Sequence, residues 1–595
     1  MITQETLHII LVFIAVIFIL LSLYREWFGP SFTFMLAIAF LGICKIITPQ
    51  EILHGFANEQ VAIIILLLLY GDIIRRTSII ERIFDKLFHS ARSYKGFLSR
   101  MMLIVASLSS MLNNTPLVAI MMPYVHNWCK KNNYSPSKFL IPLSFAAILG
   151  GSITLIGTST NLIVSSMVED QDIIPDLKSI EMFDFAAVGI PMLVLGFFYI
   201  LIFGEKMLPE RIKINKEYKK TGRDYLIETR VRHSSSLIGK TIESANLASY
   251  KGLYLVEVIR DSENLQLTEN VEIEEDDILV FAGDNAHIAD LIDSNDGLVI
   301  SELGMFVKKK QARVKEIVIS QNSILIGKNV QTVNFRAKYD ATVLAVHRNG
   351  EQVTAKLDTV TLRAGDVLLI YAGINYDSRA LVSQDFYFLT EIEDKTKVEN
   401  YKVYIMLVGL VTTIVLSALN ILNLFIGLVV LLLIALLFKI TTAKELPRSI
   451  DYNLAIIIVM SLALGTAMIE TKAADLIADS LIKVFMPLGT VGVLFAVYLI
   501  TTILAAYITN KASVGIIFPI ALSLAVNLGV SATPFVLTVA FASAANFMTP
   551  IGYQTNLMVY GPGGYTFTDF FKIGWPLTLI YMVTTVVILS SIYLW

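Results

Sequence analysis

The sequence predicts a polytopic α-helical membrane protein that is built from inverted repeats and interrupted by a soluble α+β region. Three observations predict this fold class. The 595-residue chain is 55% hydrophobic and only 16% charged, which argues against an ordinary soluble protein. Charge concentrates in residues 206–397. Matched polar motifs recur in the two apolar blocks on either side, residues 1–205 and 398–595.

The apolar blocks contain runs of membrane-spanning length. Alone or as joined pairs, these runs reach the roughly 20 residues needed to cross a bilayer core. Examples are residues 7–23, 60–70 and 402–438. We interpret the run from His8 to Leu23 as a retained helix, because no basic residue precedes it and no small-residue cleavage site follows. The lipid bilayer is therefore an expected partner.

The positions of basic residues predict the topology. Seven basic residues lie within 75–100 and three within 130–138, so both loops are expected on the cytoplasmic side. The apolar stretch between them must then enter the membrane and return as a hairpin, at about residues 100–138. Counting helices onward places residues 206–397 in the cytoplasm.

The soluble region contains an internal repeat after a linker at residues 206–224. The segment Leu237-Ile-Gly-Lys-Thr-Ile242 matches Leu325-Ile-Gly-Lys-Asn-Val330. Twenty residues after each shared lysine, an arginine ends a predicted strand, Arg260 in one copy and Arg348 in the other. We therefore predict two tandem copies of one β-rich domain.

This pattern resembles the TrkA-C domain, the C-terminal lobe of potassium-conductance regulators, over residues 225–300 and 312–387. No Gly-x-Gly-x-x-Gly motif occurs in the soluble region, so NAD is not expected. The resemblance implies that the pair dimerises and binds a small regulator, such as the nucleotide cyclic di-AMP. The alternative is that the two domains only stabilise a dimer.

The two membrane blocks share a set of motifs at matched spacings. The set in the first block is Asn113-Asn-Thr115, Pro123, Gly157-Thr-Ser-Thr-Asn161, and Asp184 with Pro191; the set in the second is Thr509-Asn-Lys511, Pro519, Gly552-Tyr-Gln-Thr-Asn556, and Asp569 with Pro576. The central asparagine of each first motif precedes its proline by nine residues in both blocks. The predicted topology makes the copies inverted, with a second hairpin at about residues 488–526.

Inverted repeats that are broken by glycine, proline and asparagine indicate a secondary transporter with its site near the membrane midplane. A hairpin tip in a bilayer has unpaired backbone groups, which are tolerated only beside a water-filled cavity or a bound ion. Free carbonyl and amide oxygens suit a hard cation such as sodium, whereas helix N-termini and hydroxyl groups suit an anion.

The paired tips and the asparagine-ending loops resemble those of the divalent anion:sodium symporter family of the ion transporter superfamily. The resemblance covers both membrane blocks, and the subgroup with two central TrkA-C domains, often called sulfate permeases, is most similar. It implies a homodimer that carries its substrate by an elevator movement. It also implies one sodium site at Asn114, the Gly157 carbonyl and Ser109, and a second at Asn510 and the Gly552 carbonyl.

The residues expected to bind the anionic substrate come from both tips and both loops. They are Asn113, Asn114, Thr115, Thr158, Ser159, Asn161, Thr509, Asn510, Lys511, Tyr553, Gln554 and Asn556. For Tyr553 and Gln554, packing is an equal alternative. The chain departs from the family pattern at Asn113, where serine is usual, and at Thr509 and Lys511, where serine and threonine are usual.

Lys511 has three open interpretations. A lysine within a membrane segment is a functional candidate because its burial costs several kcal/mol unless it is paired or hydrated. Its ammonium group could contact the anion directly or replace the second sodium ion. Alternatively, it could extend to an aqueous surface.

The leading function is a sodium-coupled symporter of a small divalent anion, sulfate first and C4-dicarboxylates second, in the bacterial inner membrane. A cation channel or potassium transporter is a distant alternative, because no selectivity-filter motif or fourfold repeat is present. A sensor that signals through the tandem domains is another. The net charge of −3 gives no reason to expect nucleic acid. No nucleophile–base pair or metal-ligand spacing suggests an enzyme.

Overall fold

The computed structural model describes most of the chain. The described residues are 4–25, 27–75, 88, 93–171, 173–175, 177–211, 226–242, 244–245, 247, 249–250, 253–260, 263–265, 271–283, 298–300, 314–321, 323–333, 335–348, 351–353, 360–373, 376–380, 383, 385–389, 400–419, 421–442, 446, 450 and 452–594. Most of the predicted linker, 212–224, and most of the first basic loop, 76–87 and 89–92, lie outside this part.

Helices form nearly all of the described part of the first membrane block. In chain order they are α1 (Gln4–Tyr24), α2 (Pro30–Ile43), α3 (Pro49–His54), α4 (Glu59–Arg75), α5 (Tyr94–Ser109), α6 (Asn114–Asn132), α7 (Leu140–Gly151), α8 (Ser159–Asp170) and α9 (Ala186–Met207). Helices α5 and α6 follow one another across four residues at the predicted first hairpin. Lys130 and Lys131 in the last turn of α6 complement the negative end of its dipole.

The soluble region contains two antiparallel sheets of equivalent construction. The strands and short helices are β1 (Leu226–Val231), β2 (Ser249–Tyr250), β3 (Leu253–Arg260), β4 (Glu263–Leu265), β5 (Ile278–Gly283), β6 (Leu298–Ile300), β7 (Val314–Ile319), α10 (Val330–Val333), α11 (Phe335–Tyr339), β8 (Ala341–Arg348), β9 (Glu351–Gln352), β10 (Val367–Ala372), α12 (Tyr376–Ala380) and β11 (Phe386–Phe388). The first sheet has the order β2-β3-β5-β1-β6 with β4 on β3, and the second β9-β8-β10-β7-β11.

Equivalent strands occupy equivalent places in the two sheets, down to their irregularities. The register between β3 and β5 shifts at Val256, and that between β8 and β10 shifts at Leu344, each four residues before the arginine that ends the strand. Arg260 forms an ion pair with Asp277, and Arg348 forms the matching pair with Asp366. The two halves therefore have the same fold, and their assignment to the TrkA-C family stays a prediction.

The second membrane block repeats the helical pattern of the first. Its described helices are α13 (Asn400–Ala418), α14 (Leu424–Leu437), α15 (Tyr452–Glu470), α16 (Ala473–Phe485), α17 (Gly489–Tyr507), α18 (Asn510–Leu528), α19 (Thr533–Ala544), α20 (Gln554–Tyr560) and α21 (Phe567–Tyr593). Among the described residues, six helices are long and apolar enough to cross a membrane, or seven if the bent pair Pro49–Ala57 and Glu59–Gly71 forms one span.

The largest hydrophobic cluster joins helices of both membrane blocks. It also contains residues of the second sheet region, namely Val318, Val367, Tyr387 and Leu389, whereas the interiors of the two sheets form separate clusters. Val318 and Tyr387 lie opposite each other in the register of β7 and β11. One face of the second sheet therefore packs against the helical body.

Candidate functional site

The two tips begin helices in matching ways. The Asn113 side chain caps α6 by accepting a hydrogen bond from the Thr115 backbone N–H at 3.3 Å. The Thr509 hydroxyl caps α18 by accepting from the Ala512 backbone N–H at 3.2 Å. Each capped N-terminus presents backbone donors and the positive end of a helix dipole.

Two breaks in the helical structure face these tips. In the first, between α7 and α8, the Gly157 N–H donates to Thr154 Oγ1 at 3.2 Å. In the second, between α19 and α20, the Gly552 N–H donates to Thr549 Oγ1 at 3.4 Å. These threonine hydroxyls satisfy backbone groups that a regular helix would have paired, so the breaks are stable when buried.

A cavity of about 200 Å³ lies between the tips and the breaks. Ten of the residues predicted to bind substrate or sodium line it, from both repeats: Asn113, Thr115, Thr158, Ser159, Thr509, Asn510, Lys511, Gly552, Tyr553 and Gln554. Among the described residues that line the cavity, Lys511 is the only charged one. Hydroxyl, amide and ammonium groups with no carboxylate in the described wall form a surface suited to an anion.

Hydrogen bonds across the cavity link one repeat to the other. Thr115 Oγ1 donates to Gln554 Oε1 at 3.1 Å. The Tyr553 hydroxyl lies 2.7 Å from the amide of Asn114 and 3.0 Å from Thr158 Oγ1. Tyr553 and Gln554 therefore connect the second break to the first tip, and Gln554 has a polar partner there in addition to its packing.

The amide of Asn114 lies in an oxygen-rich cluster beside the cavity. The end of this amide away from Tyr553 lies 3.2 Å from the Gly157 carbonyl oxygen and 3.1 Å from the Ala147 carbonyl oxygen, and it contacts Ser109 Oγ. Asn114 and Ser109 are buried. If the amide presents its oxygen here, four oxygen atoms converge, which is the ligand chemistry of a hard cation.

The second break has a different arrangement. The amide that lies against Gly552 is that of Asn546, whose Nδ2 donates to the Ala505 carbonyl at 2.8 Å. Asn510 lines the cavity instead, and its Oδ1 accepts from the Lys511 backbone N–H at 3.0 Å. The sequence did not identify Asn546, although it precedes Gly552 by the six residues that separate Gly151 from Gly157.

The sequence predicts that Asn161 and Asn556 bind substrate, but both lie behind the cavity wall. Asn161 Nδ2 donates to the Thr154 carbonyl at 2.9 Å, and Asn556 Nδ2 donates to the Thr549 carbonyl at 3.1 Å. Both asparagines are fully buried. These contacts hold the broken segments in shape, so we assign the two residues a positioning role.

The second sheet contributes to the cavity, which the sequence did not predict. Ser320, Gln321, Phe386 and Tyr387 all line it. The Tyr387 hydroxyl accepts a hydrogen bond from Gln554 Nε2 at 2.7 Å and lies 3.2 Å from Ser320 Oγ. Thr115, Gln554 and Tyr387 thus form one chain of hydrogen bonds from the first tip to the soluble region.

Comparison with known proteins agrees with this architecture. The chain matches the family model described as citrate transporter, CitMHS, over residues 8–496 and 414–595. It belongs to this transporter family. The predictions of a transporter in the ion transporter superfamily, and of a protein that is not an enzyme, are therefore confirmed. With its apolar helices, the chain is an integral membrane protein.

Several relatives of this family align along most of the chain. A protein of Chlamydomonas reinhardtii described as a sulfur deprivation response regulator is 33% identical, over 91% of this chain and 94% of its own. An uncharacterized transporter of Synechocystis is 32% identical, over 97% and 96% respectively. Sodium/sulfate cotransporter 2 of C. reinhardtii is 23% identical, over 98% and 89%.

Proposed function

We propose that the chain is a sodium-coupled symporter of a small divalent anion, and that the anion is sulfate. The observation that carries this proposal is the cavity between two capped helix N-termini, one from each repeat, with Lys511 in its wall. Two helix dipoles and one ammonium group favour negative charge, and hydroxyl groups satisfy oxyanion acceptors.

Sodium coupling is supported by the cluster around Asn114. Its oxygen atoms adjoin the cavity through Tyr553, which contacts Asn114 and Thr158 together. A cation bound at Ser109, Asn114, Ala147 and Gly157 would fix the first tip in the geometry that faces the anion. Anion binding would then depend on sodium, because each ligand favours the same arrangement of the tip.

Sulfate is favoured over a carboxylate by the relatives named for sodium and sulfate. A di- or tricarboxylate remains the second candidate, because the family model is described as a citrate transporter. Two helix N-termini that border one cavity could hold the two ends of such a molecule. Whether sulfate or a larger carboxylate fits depends on the cavity volume that remains beside the Lys511 and Tyr387 side chains.

We propose an elevator movement in a homodimer of the bacterial inner membrane, with residues 206–397 in the cytoplasm. These features rest on the resemblance to the divalent anion:sodium symporters and on the distribution of basic loops. We also propose that the second soluble domain regulates transport through Tyr387. The hydrogen bond between Tyr387 and Gln554 couples the cavity wall to the soluble region. A regulator such as cyclic di-AMP would act by favouring the docked or the released state.

The test is uptake of labelled sulfate, succinate and citrate into proteoliposomes, each with and without sodium. We expect sodium-stimulated sulfate uptake that excess succinate and citrate leave unchanged. Sodium-stimulated uptake of a carboxylate with no sulfate transport would replace the substrate we propose. Uptake of none of the three would contradict the proposed function.

A further inference from the structure

We infer that the side-chain amide of Asn546 fills the space that corresponds to the Asn114 oxygen cluster, so that no second sodium site forms and each protomer binds a single sodium ion during transport. This inference rests on the proposed sodium coupling and refines it. It concerns the asymmetry between the two breaks, which share a backbone plan. Two differences carry the argument: Gly151 against Asn546 in the breaks, and Ser109 against Ala505 in the helices before the tips.

The backbone contacts establish which positions correspond. Gly151 and Asn546 each precede the break glycine, Gly157 or Gly552, by six residues. Ser152, the residue after Gly151, packs closely against Gly189 of α9. A Cβ added on Gly189 would lie 2.6 Å from the Ser152 carbonyl oxygen.

The same approach recurs in the second repeat. An added Cβ on Gly574 of α21 would meet the carbonyl oxygen of Phe547, the residue after Asn546. Gly189 and Gly574 each follow the repeat aspartate, Asp184 or Asp569, by five residues. Gly151 and Asn546 are thus structural equivalents.

In the first break, the absence of a side chain at Gly151 leaves room for the Asn114 amide. A Cβ added there would lie 2.7 Å from Asn114 Oδ1 and 3.0 Å from the Gly157 carbonyl oxygen. Both distances are shorter than an ordinary van der Waals contact. The oxygen cluster at Asn114 therefore depends on glycine at position 151.

In the second break, the side chain of Asn546 fills the equivalent space. Its Nδ2 donates to the Ala505 carbonyl at 2.8 Å, and its Oδ1 accepts from Thr549 Oγ1 at 3.1 Å. A Cβ added on Gly552 would overlap Asn546 Nδ2, so the amide nitrogen packs directly on the glycine. The amide hydrogens thus place a donor, rather than a cation, beside Gly552 in this space.

The second break also lacks ligands that the first one has. Ser109, five residues before Asn114, corresponds to Ala505, five residues before Asn510, so a hydroxyl ligand is missing. The Oδ1 of Asn510 accepts from a backbone N–H on the cavity side. The amide donor of Asn546 and the methyl group of Ala505, which replaces the Ser109 hydroxyl, cannot coordinate a cation, so both disfavour sodium there. The Lys511 ammonium group then contacts the anion and does not replace a sodium ion.

The test is the sodium stoichiometry of the full-length protein in detergent with saturating sulfate. We expect binding of radiolabelled sodium to saturate at one ion per protomer, and the sodium-induced rise in unfolding temperature to show a Hill coefficient of about 1. Two ions per protomer would overturn the inference and leave the proposed function standing. Binding of no sodium, with sulfate uptake driven by protons, would overturn both.

Reciprocal variants extend the test. Asn546→Gly combined with Ala505→Ser copies the first break into the second and should raise the stoichiometry to two ions, with a Hill coefficient approaching about 2. Gly151→Asn copies the second break into the first and should weaken sodium binding at least about tenfold. A folded double variant that still binds one ion would contradict the inference. If the variants do not fold, the wild-type stoichiometry still decides it.

Discussion

Replacing Tyr553 with phenylalanine removes one buried hydroxyl group and keeps the ring. That hydroxyl lies 2.7 Å from the amide of Asn114 and 3.0 Å from Thr158 Oγ1. When sodium is bound, the amide oxygen of Asn114 points to the ion and its NH₂ group needs the Tyr553 oxygen as acceptor. Without sodium, the amide can turn its NH₂ group to the carbonyl oxygens of Gly157 and Ala147.

Tyr553→Phe therefore harms the sodium-bound state more than the sodium-free state. The bound state loses the acceptor of a buried N–H group, which costs roughly 1–3 kcal/mol, whereas a carbonyl left without a donor is better tolerated. A difference of about 1.4 kcal/mol corresponds to tenfold in affinity, so we expect sodium affinity to fall about 5- to 150-fold. The assay is the sodium dependence of sulfate uptake and of the unfolding temperature.

Tyr565→Phe is the matched control. The Tyr565 hydroxyl is also fully buried, and it donates to the Ser137 carbonyl at 2.6 Å and accepts from the Ile141 N–H at 3.1 Å. It is not among the residues that line the cavity. We expect this variant to lower stability and to keep wild-type sodium affinity. Equal sodium affinity in Tyr553→Phe and wild type would refute the role given to the Asn114 cluster.

Three further predictions concern the anion, the docked domain and its fold. Lys511→Thr should raise the KM for sulfate at least about tenfold while the sodium dependence stays unchanged; an unaltered KM would show the lysine to be peripheral. Burial raises the pKa of Glu316 from 4.5 to about 7, although the nearby charge of Lys130 lowers it. Docking of the second sheet on the helices is therefore favoured below pH 4.5 and is lost as pH rises through about 7. Because docking ties Gln554 in the cavity wall to the soluble region, its release should increase sulfate uptake over this range. Glu316→Gln should flatten the profile; an unchanged profile would exclude Glu316. Asp366→Asn removes the buried negative charge that pairs with Arg348 and should destabilise the second domain by about 1–3 kcal/mol, measured as a lower unfolding temperature; a wild-type value would contradict this.

The pH prediction depends on which face of β7 Glu316 occupies. Glu316 lies two residues before Val318, and side chains two apart in a strand point to the same side. Val318 belongs to the cluster that includes the membrane helices, whereas Ile317 and Ile319 belong to the interior of the second domain. Glu316 therefore faces the helical body, where deprotonation opposes docking.

The sequence predicted the parts of the site that short motifs encode. Asn113 and Thr509 are capping residues, and each precedes a helix that contains a proline nine residues after its first residue. Glycine and asparagine at matched spacings marked the breaks, because interrupted helices need residues that tolerate irregular backbone. The strand-ending arginines Arg260 and Arg348 also lie where the repeat predicted them.

Long-range packing determined what the sequence did not predict. Tyr387 reaches Gln554 only because the second sheet docks against the helices, and no local pattern of residues encodes that contact. The motifs suggest that Asn161 and Asn556 are ligands, because amide side chains both bind cations and pair with backbone carbonyls at helix breaks. In this fold they do the second. Asn546 could have been found by aligning the breaks by their glycines, which places it opposite Gly151.

The measurement that tests the central claim most directly is accumulation of labelled sulfate in proteoliposomes under an inward sodium gradient. We predict that internal sulfate rises above the external concentration, that a sodium ionophore abolishes this rise, and that Asn114→Ala loses it. Sulfate that only equilibrates, at the same rate when potassium replaces sodium, would contradict sodium coupling through the Asn114 cluster.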